Sequence, residues 1–117
     1  MYATHFEIHN GVLTKCRMSG EEENVTVTIP DGVTSIGKDA FGGCDALKSI
    51  TIPDSVIIIG DKAFAGCTAL ESVTIPKSGT SIGDSAFDDC DILTICAPSG
   101  SYAIVYAKDN GIKCKEI

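Results

Sequence analysis

Polar and apolar positions alternate in short bursts along this chain, and the bursts return every 23 residues. Val27-Thr28-Ile29-Pro30 recurs as Ile50-Thr51-Ile52-Pro53 and as Val73-Thr74-Ile75-Pro76. Ile36-Gly37, Ile59-Gly60 and Ile82-Gly83 follow in phase, then Ala40-Phe41, Ala63-Phe64 and Ala86-Phe87. Cys44, Cys67 and Cys90, with Leu47, Leu70 and Leu93, complete the set. A fixed period of this length marks an α/β repeat solenoid, in which each unit buries its apolar face against its neighbours.

The unit from Leu47 through Ala69 shows how the pattern predicts structure. Ser49 to Ile52 alternate, which predicts a short strand with Ile50 and Ile52 inward and Ser49 and Thr51 outward. Pro53 has no N–H for a ladder and ends the strand. Asp54-Ser55 makes a turn, and Val56 and Ile59 return to the core. Gly60 reads as a backbone conformation that a side chain would oppose. Asp61 reads as the N-cap of a brief helical turn over Lys62 to Cys67, with Phe64 and Cys67 facing inward.

The flanks carry different signals. Asn10-Gly11 is a two-residue hairpin turn between Phe6-Glu7-Ile8-His9 and Val12-Leu13-Thr14-Lys15. Ser19 to Asn24 reads as a polar, solvated loop. Ser99 or Ser101 can cap a helix over Tyr102 to Lys108, with Tyr102, Ala103, Tyr106 and Ala107 as its apolar face. Asn110-Gly111 can end it. The organisation expected is one small domain: an N-terminal hairpin cap over 1–26, three repeats over 27–94 and a C-terminal helical cap over 95–117.

Leu47-x-x-Ile50-x-Ile52 resembles the strand signature of leucine-rich repeats. The longer pattern is Ile-Pro after the strand, then Val-x-x-Ile-Gly, then Ala-Phe-x-x-Cys-x-x-Leu. It resembles the BspA-like (Treponema-type) leucine-rich repeat from Val27 to Leu93. The hairpin around Asn10-Gly11 and the segment from Gly100 to Ile112 look like the usual ends of that family. The resemblance implies a right-handed leucine-rich repeat superhelix. It also implies a non-enzymatic protein- or glycan-binding module of a bacterial or protist surface or secreted protein. The rival readings are a structural spacer or cap domain in a larger surface protein, and an intracellular interaction adaptor. Three departures stand out: Gly79 replaces Val33 and Val56, Lys77 replaces Asp31 and Asp54, and the step from Pro76 to Pro98 is 22 residues.

Composition narrows the partners. The net charge of −7 and pI of 4.6 disfavour nucleic acid and anionic membrane, which need a basic footprint. No apolar run approaches the roughly 20 residues of a membrane span, and Met1 to His5 lack the start of a signal peptide. Cys44, Cys67 and Cys90 form a column, one per coil, which reads as small buried hydrophobes rather than as bridges or a metal site. Cys114 alternates with Ile112 and reads as core. Cys96 reads as the most reactive thiol.

Catalytic-looking strings dissolve into the repeat. Gly32-x-x-x-x-Gly37-Lys38 approaches a phosphate loop, but Asp39 stands where Ser or Thr should hold magnesium. Gly79-Thr80-Ser81-Ile82-Gly83 spells a nucleophile elbow without its strand, helix and histidine. His5 and His9, with Cys16 across the hairpin, read as edge residues. Asp31, Asp54 and Lys77 give one charge per coil, too few for calcium. No cofactor is expected. What remains is a face. Thr26, Ser49, Ser72 and Thr94 form one outward column, and Thr28, Thr51, Thr74 and Cys96 form the other.

Overall fold

Each coil makes two strands, because two separated pairs of inward residues need backbone partners in the coil above and the coil below. The computed structural model describes residues 5–17, 24–77 and 81–117. The loop read over 19–23 and the substitution at Gly79 lie outside the described residues.

The elements are β1 (His5–His9), β2 (Val12–Arg17), β3 (Val25–Thr28), β4 (Ser35–Ile36), β5 (Leu47–Thr51) and β6 (Ile58–Ile59). Then come β7 (Ser72–Thr74), β8 (Ser81–Ile82), β9 (Thr94–Ala97), α1 (Tyr102–Asp109) and β10 (Lys113–Glu116). They form two sheets, ordered β1-β2-β4-β6-β8 and β10-β9-β7-β5-β3. Among the described residues, pairing is parallel from coil to coil and antiparallel in the β1–β2 hairpin alone. The β3–β5–β7–β9 sheet is the one expected from the alternating pattern. The β4–β6–β8 sheet was not, since two residues per coil are too few to show a period.

The segment read as a helical turn takes the form of consecutive tight turns. Ala63 N–H donates to Gly60 O at 3.2 Å, and Ala65 N–H donates to Lys62 O at 3.1 Å. Left-handed residues break any helix there: Asp39, Lys62 and Ser85 have φ of 58°, 55° and 55°. Asp61 therefore caps no helix. Its carboxylate instead accepts the Asp84 N–H of the next coil at 2.8 Å. Gly60 also has a different reason from the one expected. No left-handed φ is required of it; a β-carbon there would sit 2.9 Å from both Ile36 O and Lys38 N.

The turns stack into a third ladder. Phe41 N–H donates to Ala63 O at 2.7 Å, and Phe64 N–H donates to Ala86 O at 2.8 Å. The Phe41, Phe64 and Phe87 rings stack beneath it, with centroids 4.9 and 5.2 Å apart. Phe41 and Phe64 are wholly buried, as are Val56, Ile59, Ala63, Cys67 and Leu70.

Length differences fall at one place in the coil. Leu47 pairs with Val25 but Ser49 pairs with Thr26, so Lys48 has no counterpart in the first coil. Thr94 pairs with Ser72, which puts the 22-residue step directly after Leu93, where Glu71 has no counterpart.

The ends close as hairpin and helix. Asn10 and Gly11 have φ of 51° and 80°, as a primed two-residue turn requires. The hairpin extends the β4–β6–β8 sheet through β2. Ser101 is the N-cap of α1, although its side chain makes no cap bond. The buried face of α1 is Ala103, Ile104 and Ala107; Tyr102 is half exposed rather than inward, and Tyr106 is partly buried. The difference arises because α1 lies across the end of the stack and packs Tyr106 edge-on to Phe87 at 6.3 Å. Ile112 N–H to Ala107 O at 2.8 Å and Gly111 N–H to Lys108 O at 3.4 Å end the helix, with Gly111 at φ 68°.

Candidate binding face

The backbone register brings the two outward columns together as their phase predicts. Thr26, Ser49, Ser72 and Thr94 are successive partners, and so are Thr28, Thr51, Thr74 and Cys96. Inward neighbours Val27, Ile50, Val73 and Ile95 are buried, which fixes the hydroxyls on the other side. Thr26, Thr28 and Thr51 are exposed, while Ser49, Ser72, Thr74 and Thr94 are half-buried. Thr26 and Ser49 hydroxyls lie 3.0 Å apart and share a hydrogen bond.

The face is wider than the sequence reading allowed. β10 pairs with β9 so that Lys113 continues the Thr94 column and Lys115 continues the Cys96 column. Five strands at about 4.8 Å spacing give a face about 19 Å across. The alternation of Ile112, Lys113, Cys114 and Lys115 was the available signal for this strand. Lysines also suit an exposed edge, because they discourage unwanted strand addition. The face therefore grades from hydroxyls to two ammonium groups.

The cysteine column is a structural seam. None of the six cysteines is in a disulfide. Cys67 Sγ donates to Phe41 O at 3.0 Å and Cys90 Sγ donates to Phe64 O at 3.1 Å, each thiol reaching the preceding coil. Cys67 is wholly buried, whereas Cys44 and Cys90 are half-buried. The interaction between Cys67 and Cys90 raises the Cys67 thiol above its ordinary 9.0 and lowers Cys90 below it, while burial raises Cys44. Burial likewise raises Tyr106 above 10.0. A raised folded-state value favours the neutral form, so its stabilising contribution is complete below the ordinary value and is lost as pH rises. Thermal melting is therefore expected at a lower temperature at pH 10.5 than at pH 8. A Cys44→Ala variant should show a shallower fall, and circular dichroism melts at the two pH values check it.

The catalytic-looking strings are occupied by the ladders. Thr34 and Ser35 N–H groups donate to Gly11 O, Gly37 N–H to Leu13 O and Asp39 N–H to Asp61 O. Those donors are unavailable to a phosphate. Ser81 sits on β8, at the opposite edge of its sheet from the β1 that carries His5 and His9. Both histidines are exposed, and Cys16 pairs with Phe6 rather than with either. Among the described residues, no group of three or more His, Cys, Asp or Glu could hold a metal ion. Asp31, Asp54 and Lys77 are exposed on the rim. No helix among the described residues is long and apolar enough to cross a membrane.

Comparison with known proteins bears on the family alone. No curated protein and no solved structure matches the chain. The model of the BspA type leucine-rich repeat region matches residues 6–107 in six copies, reaching beyond the three regular repeats into both flanks. With a period of about 23 residues, about four turns and a match over most of its length, the chain belongs to the BspA-type leucine-rich repeat family.

Proposed function

We propose that this repeat module binds a protein or glycan on a host or neighbouring cell through the face of Thr26, Thr28, Ser49, Thr51, Ser72, Thr74 and Thr94. It acts without catalysis, as part of a cell-surface or secreted protein, with one domain built from the hairpin end, the three central repeats and the helical end. The observation that carries the reading is the in-register alignment of these hydroxyls on the outer face of one sheet. A flat array of donors and acceptors suits extended polar ligands. The hydroxyl columns contain no Trp, Tyr or Arg, the side chains that anchor tight single contacts. Binding by one copy is therefore weak, and display in many copies raises apparent affinity by about 10² to 10⁴.

The test is a screen of immobilised glycans and extracellular-matrix proteins with multivalent protein, run beside a Thr51→Arg/Thr74→Arg variant. Binding that the variant abolishes is the expected outcome. Binding unaffected by those changes rejects this face. Absence of binding throughout the screen favours the spacer reading.

A further inference from the structure

The third ladder ends open. The first turn donates from Asp39, Phe41 and Gly43 N–H to Asp61, Ala63 and Ala65 O, at 3.2, 2.7 and 2.8 Å. The second donates from Lys62, Phe64 and Gly66 N–H to Asp84, Ala86 and Asp88 O, at 3.0, 2.8 and 2.8 Å. The third turn places Ser85, Phe87 and Asp89 at the same phase, and their N–H groups have no acceptor among the described residues. β10 continues only the hydroxyl-bearing sheet. Over the turns, α1 crosses instead and offers Tyr106, half-buried and edge-on to Phe87. A cavity of about 250 Å³ remains between them, lined by all three donor-bearing residues and by Asp88, Asp91, Tyr106 and Asn110. A second cavity of about 260 Å³ shares Ser85, Tyr106 and Asn110 with the first and adds Asp84 and Asp109.

We propose that this open rung takes a short basic peptide segment of a partner protein, whose main-chain carbonyls accept from Ser85, Phe87 and Asp89. Three observations choose that occupant. The donors stand at every second residue, the spacing at which an extended chain presents carbonyls to one side. Asp88, Asp89 and Asp91 line the first cavity and Asp84 and Asp109 the second, with no Lys or Arg in either wall. That charge favours lysine or arginine side chains and repels an anion. A bare metal ion is disfavoured, because N–H donors face it and no ligand group of three is present among the described residues. The site is separate from the hydroxyl face and does not depend on it.

The experiment is amide-resolved nuclear magnetic resonance of the full chain, titrated with an acetylated, amidated peptide of alternating alanine and lysine. The Ser85, Phe87 and Asp89 amide signals should shift together, while an alanine–glutamate twin leaves them still. Asp88→Asn/Asp91→Asn changes two exposed carboxylates and should weaken binding at least about threefold, whereas Asp31→Asn, an exposed carboxylate of the first coil, should leave it unchanged. Four results overturn the proposal. One is no amide shift at about 1 mM peptide, a weak limit near −4 kcal/mol. Another is equal response to the glutamate twin. A third is a response to a neutral oligosaccharide but not to the peptide. The last is concentration-dependent shifts of the same amides without peptide, which would assign the rung to a second copy of this chain.

Discussion

Phe64→Ala is expected to lower stability by about 3–5 kcal/mol. Phe64 is wholly buried and lies between two rings, 4.9 Å from Phe41 and 5.2 Å from Phe87. Its removal leaves a cavity at the middle of the stack and breaks both ring contacts. Backbone relaxation cannot close that gap, because the Phe64 N–H and its neighbours are held in ladders to both adjacent coils. Small domains have about 5–15 kcal/mol in total, so the variant should be close to unfolded at body temperature. The position matters beyond its area. In a solenoid each unit depends on its neighbours, so loss at the central coil uncouples the two ends. Urea unfolding of Phe64→Ala and of Ile92→Ala, an exposed apolar control, measures the difference. A loss below about 1 kcal/mol for Phe64→Ala would contradict the stacked core.

Gly60→Ala should also be strongly damaging, by about 1–3 kcal/mol with the upper end expected. Its β-carbon would stand 2.9 Å from Ile36 O and from Lys38 N, and 3.0 Å from Gly37 C. These are backbone atoms of the preceding coil and no rotamer can move them aside. Meanwhile Gly60 N–H donates to Ile36 O at 2.7 Å, so adding the methyl group works against a bond the coil interface needs. A drop in melting temperature of about 10 °C follows for a domain of this size. Gly100→Ala is the informative comparison. Gly100 has φ of 77° but nothing near its β-carbon, so it carries only the local backbone cost, about 1–2 kcal/mol. If Gly60→Ala proves milder than Gly100→Ala, close approach is not what the repeated glycine supplies.

Much of this was legible because repetition multiplies weak signals. One Ser-Ile-Thr-Ile alternation says little, while three in phase specify a strand, its inward face and its partners. Hence Thr28, Thr51 and Thr74 align by phase alone. The same logic placed Phe41, Phe64 and Phe87 in one column. What escaped was structure without a side-chain signature. Ser35-Ile36 and its counterparts are strands only because Thr34 O and Ile36 O accept from Ile57 and Gly60. The left-handed turn falls on Asp39, Lys62 and Ser85, three unlike residues with no glycine to announce it. Asp61 looked like a cap because it precedes a short apolar turn, yet its carboxylate reaches across to Asp84. β10 escaped because Lys113 to Glu116 hold three charges around one half-buried cysteine. The open rung at Ser85, Phe87 and Asp89 is invisible in sequence, since backbone donors carry no letter of their own.

The central claim is that a Ser/Thr sheet face, not a catalytic site, is the working surface. Its most direct measurement is the dissociation constant for the strongest hit of the glycan and matrix screen, by surface plasmon resonance, for wild type and Thr51→Arg/Thr74→Arg. Both positions lie on the outer face, so the substitution should leave folding intact. A loss of at least about tenfold, equivalent to about 1.4 kcal/mol, is predicted. An unchanged constant, with melting temperatures that agree, would contradict the account.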